Sequence, residues 1–260
     1  MGNGRAGIAA WAAVLVFSAD AFAGVPGLVT RVVKNVSVVR PGGATHSAAP
    51  NESIGSGANV RTGPDARAEL TFADSAVTRL GGKTVLRLGD ELILDEGAVL
   101  FDAPRRASSA TIRTGTINVE GAGATGIIER FGRVYAKVMV LQGTARVFLP
   151  EKVGESILLK AGQILIMKPD AKGLAEPVDY NIAHLYKTSL LVHHEFARLP
   201  GEPQILAEIA KQQSDPNLIP TNLVIHGRGT LVTLENSANV QSKPKAAASP
   251  TPTPRPSPRR

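Results

Sequence analysis

Leu92-Ile93-Leu94-Asp95-Glu96-Gly97-Ala98-Val99-Leu100-Phe101 is the stretch that decides the fold. Leu92 and Leu94 stand two apart, as do Val99 and Phe101, and side chains two apart in an extended chain share one face. Gly97 sits between the pairs and permits the positive φ that a tight turn or bulge needs. The same pattern, apolar-x-apolar-x-x-Gly-x-apolar-x-apolar, returns in Val138, Val140, Gly143, Ala145 and Val147, and again in Ile157, Leu159, Gly162, Ile164 and Ile166. The last two glycines are 19 residues apart and the first two 46, close to two such periods. A period near 20 suggests stacked β coils. An all-β, β-solenoid-like stack of short strands is therefore expected, with Gly97, Gly143 and Gly162 as its structural turn glycines.

Outward from these repeats, short apolar segments at 29–39, 70–72, 77–80, 85–88, 111–119 and 134–149 are separated every few residues by Gly, Pro or Asp, which is the punctuation of strands. The period changes after Pro177-Val178. Asp179 offers a helix N-cap, and Ile182, Leu185, Tyr186 and Leu190 follow at helical spacing. A second helix begins with Glu202 at its cap and Pro203 in its first turn, puts Ile205, Leu206 and Ile209 on one face, and stops before Pro216. These helices are expected to pack on an end of the β body, where a bare terminal coil would expose a sheet edge. Leu223-Val224-Ile225 and Leu231-Val232-Thr233-Leu234 suggest a last hairpin.

Both ends differ from this body. Residues 1–23 carry one early charge, Arg5, an apolar run from 6 to 17, and Ala21-Phe22-Ala23 at a cleavage position, the makings of a signal peptide with mature start Gly24. That run falls short of the ~20 residues that span a bilayer. Residues 237–260 form a basic, proline-rich tail of extended, disordered type. The expected divisions are thus 1–23, a β domain at 24–178 with its motif core at 55–169, a helical cap and hairpin at 179–236, and the tail.

The net charge of +7 lies mainly in that tail, because 24–236 holds 23 basic and 21 acidic residues. A nearly neutral body with 4% aromatic residues lacks the basic face and stacking platforms of a nucleic-acid binder. The tail is the part suited to anionic surfaces. The absence of cysteine excludes disulfides, thiolate metal sites and a cysteine nucleophile.

Taken together, Gly57-Ala58-Asn59-Val60-Arg61-Thr62-Gly63, Ala68-Glu69-Leu70-Thr71-Phe72-Ala73-Asp74 with Arg79-Leu80-Gly81, Leu94-Asp95-Glu96-Gly97-Ala98-Val99, Val140-Leu141-Gln142-Gly143-Thr144-Ala145-Arg146-Val147 and Leu159-Lys160-Ala161-Gly162-Gln163 resemble the FecR domain, the periplasmic module of bacterial iron-transport signalling. The resemblance covers about 55–169. It implies a β-solenoid-like module and supplies no catalytic residues. Members that regulate sigma factors place an anti-sigma segment and a transmembrane helix before the domain, whereas a signal peptide is expected here, as in stand-alone exported members.

Three constellations could carry chemistry. Gly121, Gly123 and Gly126 spell GxGxxG, but the dinucleotide fingerprint needs a following helix, and the β-like run from Arg133 leaves no room for one. His193, His194 and Glu195 are adjacent, so in a helix they diverge, and His184, His46 and His226 are distant in sequence. Asp90, Glu91, Asp95, Glu96 and Asp102 surround the first repeat. Paired carboxylates could cleave polysaccharide, yet Asp90, Asp95 and Glu96 stand at turns where acidic residues are ordinary. Asp95 and Glu96 are kept as surface-contact candidates. Ser56, between glycines, lacks a nucleophile elbow.

The expectation is a non-catalytic, exported binding or assembly module of the cell envelope, periplasmic or secreted. It uses no cofactor or metal, and its partner is an envelope protein or cell-wall polymer. The alternatives are a soluble component of envelope signalling and a carbohydrate-active β-solenoid enzyme using carboxylates near Asp95 and Glu96.

Overall fold

The computed structural model describes residues 26–105, 111–152, 154–192 and 195–215. The signal segment, the 223–234 hairpin, the tail, His193, His194 and His226 lie outside these residues. Seventeen short strands and two helices make the described body all-β with a small helical addition.

The strands fall into two sheets. Sheet 1 runs, in spatial order, β4 (Ser53–Ile54), β1 (Gly27–Val33), β6 (Arg67–Phe72), β7 (Val77–Leu80), β9 (Leu92–Ala103), β12 (Ala124–Phe131), β13 (Tyr135–Gln142), β16 (Gln163–Met167) and β17 (Val178–Asp179), all antiparallel. Sheet 2 runs β3 (Thr45–Ser47), β2 (Val36–Val39), β5 (Asn59–Thr62), β8 (Val85–Arg87), β9 again, β10 (Thr111–Thr114), β11 (Ile117–Glu120), β14 (Thr144–Phe148) and β15 (Ser156–Lys160). Among the described strands, only the β9–β10 pair is parallel. Alternate residues of each strand point between the sheets. Leu70, Leu80, Val99 and Val138 from sheet 1 thereby meet Val60, Leu86, Leu94 and Val147 from sheet 2 in one core.

The repeated glycines mark the places where the chain leaves one sheet for the other. Gly97, Gly143 and Gly162 have φ of +90°, +73° and +82°. β9 bends at Gly97, pairing through Ile93 in sheet 2 and through Val99 to Ala103 in sheet 1. Gly143 carries the chain from β13 to β14, and Gly162 returns it from β15 to β16. The 19-residue spacing is therefore one excursion into sheet 2 and back, with β13–β14 and β15–β16 pairing as one bent antiparallel hairpin.

In the third copy the apolar phase slips. Six positions separate Leu159 from Leu165, against five from Leu94 to Val99, so Leu165 and Met167 enter the core. Ile164 and Ile166, expected to share the face of Leu159, lie instead on the outer face of sheet 1. The motif spacing is the same in all three copies, and the face changes because the turn at Gly162 takes up one more residue between the core positions.

That outer face corrects the expected position of the helices. α1 (Ile182–Thr188) and α2 (Glu202–Gln213), with the segment between them, cover the broad face of sheet 1 and not an end of the body. Leu100, Ile127, Met139, Leu141 and Ile164 pack there against Ile182, Leu185, Leu199 and Ile205. At ~1.5–3 kcal/mol for each large apolar side chain kept from water, the cap is integral to stability. α1 is capped by Asn181, whose Oδ1 accepts from the His184 N–H at 3.0 Å, while Asp179 belongs to β17. Gly201 occupies the N-cap of α2, and Glu202 is its first helical residue. Leu190 lies beyond α1 and Leu206 on the solvent side of α2, both about half exposed. No helix among the described residues is long and apolar enough to cross a membrane.

Candidate functional surface

The two outer faces of the sandwich differ in chemistry. Beneath the cap, sheet 1 mixes its apolar residues with buried charge. Arg79 on β7 is 1% exposed. It donates to Glu69 Oε2 at 2.8 Å, to the Leu191 and Val192 carbonyls at 3.0 Å each, and to the Ala197 carbonyl at 2.5 Å. The Phe196 ring lies 4.7 Å from its guanidinium carbon. Arg67 pairs with Glu195 alongside. On the far side of β9, Lys137 is buried with its ammonium 2.6 Å from Glu129 Oε2, and Tyr135 donates to Glu129 Oε1 at 2.7 Å. Buried ions survive only when paired and hydrogen-bonded, so Arg79 and Arg67 fix where the cap sits more than they add net stability. Arg79 alternates with apolar neighbours, as a solvent-facing strand residue does, and nothing in the local pattern marks it as a clamp.

Asp102, one of the acids around the first repeat, lies under the cap. It accepts from the Gly201 N–H at 2.7 Å and from the Thr125 hydroxyl at 2.9 Å. Burial raises its pKa, and the two hydrogen bonds and the Arg79 charge do not cancel that. The folded chain thus keeps this proton to a higher pH than the unfolded chain, whose carboxyl has its ordinary value of 3.8. Its contribution to stability is complete below that value and is lost as pH rises through the raised folded pKa. Asp102→Asn is accordingly expected to gain on the parent as pH rises from about 4 toward neutrality, read as the difference between the two in urea unfolding at each pH. A constant difference would contradict the assignment.

Sheet 2 turns a polar face outward, and no described element lies over it. One row of residues crosses eight strands in register: Val39, Asn59, Arg87, Ile93, Arg113, Asn118, Phe148 and Ser156. Their chain neighbours Val60, Leu86, Leu94, Ile112, Val119 and Val147 fill the core, which fixes the row on the opposite side. The charges pair along it. Arg87 holds Asp95 with two contacts of 2.7 and 2.9 Å, Arg113 Nε lies 2.7 Å from Glu91 Oε1, and Arg146 lies 3.6 Å from Glu120. Arg146 also stacks over the Phe148 ring at 4.9 Å. At the β2–β5 end of the face, a concavity of about 390 Å³ is lined by Lys34, Ser37, Ser47 and Arg61.

The five acids singled out from sequence do not converge. Asp90 is exposed, Glu91 and Asp95 belong to the sheet 2 row through Arg113 and Arg87, and Asp102 is under the cap. Glu96 accepts from the Gly132 N–H at 3.0 and 3.1 Å, supporting the β12–β13 turn. Asp95 and Glu96 thus serve different contacts. Gly121 and Gly123 form the turn into β12, and a strand follows them. A Cβ at Gly121 would lie 2.3 Å, and one at Gly126 2.6 Å, from the Phe101 ring, so these glycines make the slot that holds it. His46 bonds Glu52 at 2.5 Å and His184 is exposed on α1. Ser56 lies in the turn before β5. Among the described residues, no three His, Asp or Glu side chains are grouped to hold a metal ion.

Two crystal structures of a "putative anti-sigma factor" from Parabacteroides distasonis ATCC 8503, at 1.65 and 2.50 Å, are similar to this chain. Each shares 19% identity over 62% of this chain and 79% of its own, with TM-scores of 0.42 and 0.41. No family model and no curated protein matches the sequence.

Proposed function

We propose that the chain is a non-catalytic binding or assembly module of the bacterial cell envelope, exported to the periplasm or beyond, and that it works through the outer face of sheet 2. One observation carries the reading: the chain seals one broad face with its own C-terminal segment and leaves the other polar and uncovered among the described residues. Envelope placement draws on the signal-peptide pattern and on the FecR-type motifs over 55–169. A binding role over a hydrolytic one is supported by the separate engagement of Asp95 by Arg87 and Glu96 by Gly132. The FecR-type motifs also favour a second reading, a soluble part in envelope signalling.

The test compares the parent, an Arg87→Glu/Arg146→Glu double variant and a Leu206→Lys variant on the cap, each used to capture components from envelope extracts. Exposed ion pairs contribute only ~0.2–1 kcal/mol, so the double variant should stay folded. The expected result is a retained component that the sheet 2 variant loses and the cap variant keeps. Identical captures by all three proteins would remove sheet 2 from the function.

A further inference from the structure

We propose that the transverse row on sheet 2 is a binding path for a neutral, hydroxyl-rich polysaccharide laid across the strands. The proposal rests on the binding-module reading above and gives its ligand a chemical class. Among the described residues, two buried side-chain acceptors lack a hydrogen-bond partner, Asn59 Oδ1 and Asn118 Oδ1, and both belong to this one row. Asn118 is 9% exposed, so its unmet acceptor weakens the fold unless something outside the chain satisfies it. Glu91, which lies over Asn118 at 3.5 Å and pairs with Arg113, has a side chain 30% exposed and is able to swing aside.

The chemistry of the row selects among polymers. Two unmet acceptors require donors, which sulfate and phosphate polymers do not supply at their charged groups. Asp95, Glu91 and Glu120 already neutralise Arg87, Arg113 and Arg146, so the row presents no run of free cations to an anionic chain. Sugar hydroxyls donate and accept, and thus match carboxamides, guanidinium groups and carboxylates together. The partly buried Phe148 ring, with the Arg146 guanidinium stacked on it, adds apolar surface beside these polar groups. From Asn59 on β5 to Asn118 on β11 there are four strand spacings, about 19 Å. That distance calls for a chain of sugars, since a single ring cannot reach both ends.

The experiment uses the full chain. Co-sedimentation with purified peptidoglycan sacculi and mobility in native gels containing laminarin report on neutral glycans, and gels containing dextran sulfate report on anionic ones. Retention by sacculi alone would point to the wall glycan as the source, and retention by laminarin as well to neutral glycans in general. Binding is expected to persist at roughly 0.5 M NaCl, where exposed charges are screened. It should weaken about tenfold or more in Asn118→Leu and in Phe148→Ser, while the melting temperature of Asn118→Leu equals or exceeds that of the parent. The proposal is overturned if folded Asn118→Leu and Phe148→Ser bind like the parent, if retention is confined to dextran sulfate and disappears with salt, or if no polysaccharide is retained. In the last case, an envelope component still captured through sheet 2 would leave the binding-module reading standing.

Discussion

Arg79→Met is expected to loosen the C-terminal cap and to lower stability by about 3–5 kcal/mol, the loss that follows when one member of a buried ion pair is removed. The size follows from what Arg79 holds. Its guanidinium satisfies three backbone carbonyls of 191–197 and the Glu69 carboxylate from a fully buried position. Methionine fills much of the stem volume and donates nothing, so three carbonyls lose their donor and the Glu69 carboxylate keeps only the Thr30 hydroxyl. For a chain of this size the melting temperature should drop on the order of 10 °C. Amide hydrogen exchange distinguishes this local effect from general damage. Protection should fall first in 182–213 and persist in β12 and β13. Uniform loss across both sheets would mean that Arg79 is an ordinary core residue. Arg79→Lys should recover little, because one ammonium cannot reproduce the planar fork that reaches four acceptors.

Gly143→Asn is expected to be at least as damaging, roughly 3 kcal/mol or more, while Gly132→Asn is close to neutral. Both glycines have positive φ, +73° and +51°, and asparagine is among the residues that tolerate that region best. Conformation alone therefore predicts similar outcomes, and the surroundings separate them. A Cβ at Gly143 would meet the Gly123 carbonyl oxygen at 2.3 Å and Ala124 Cα at 2.9 Å, both backbone atoms of the neighbouring turn. At Gly132 nothing lies within 4 Å. Relief at Gly143 requires moving the 121–124 turn, which also positions Phe101 between Gly121 and Gly126. Thermal melts of the two variants side by side decide the matter. Equal melting temperatures would show that the crossing at Gly143 yields without cost.

Much of this architecture was legible in the chain because strand periodicity is local. Val138, Val140, Ala145 and Val147 announce their burial by spacing alone, and Gly143 announces the turn between them. What periodicity does not report is which sheet a strand joins, since a hairpin and a crossing share the same apolar-glycine-apolar text. Hence the 19-residue interval suggested a coil and spans one excursion into sheet 2 and back. One more residue taken up in the Gly162 turn reversed the faces of Ile164 and Ile166, and the motif spacing, the same in all three copies, does not report it. The candidate surface was less legible. Asp95 was visible as an acid beside a turn, but its meaning depends on Arg87, eight residues earlier and on the adjoining strand. Asn118 carries no motif, and the 57–63 motif does not single out Asn59 within it. They become conspicuous only when register places them on one row.

β9 is the only described strand that hydrogen-bonds to both halves of the chain: β1 to β8 lie on one side of it in the two sheets, and β10 to β17 on the other. In hydrogen-bonding terms the protein is two eight-strand lobes spliced to a common spine. The interaction of Arg67 and Arg79 with 191–197 straps the lobes together across it. Cutting the chain between Arg105 and Thr111 would thus leave the spine with the first lobe and the strap with the second. Two such fragments, made separately and mixed, have complementary edges for reassembly.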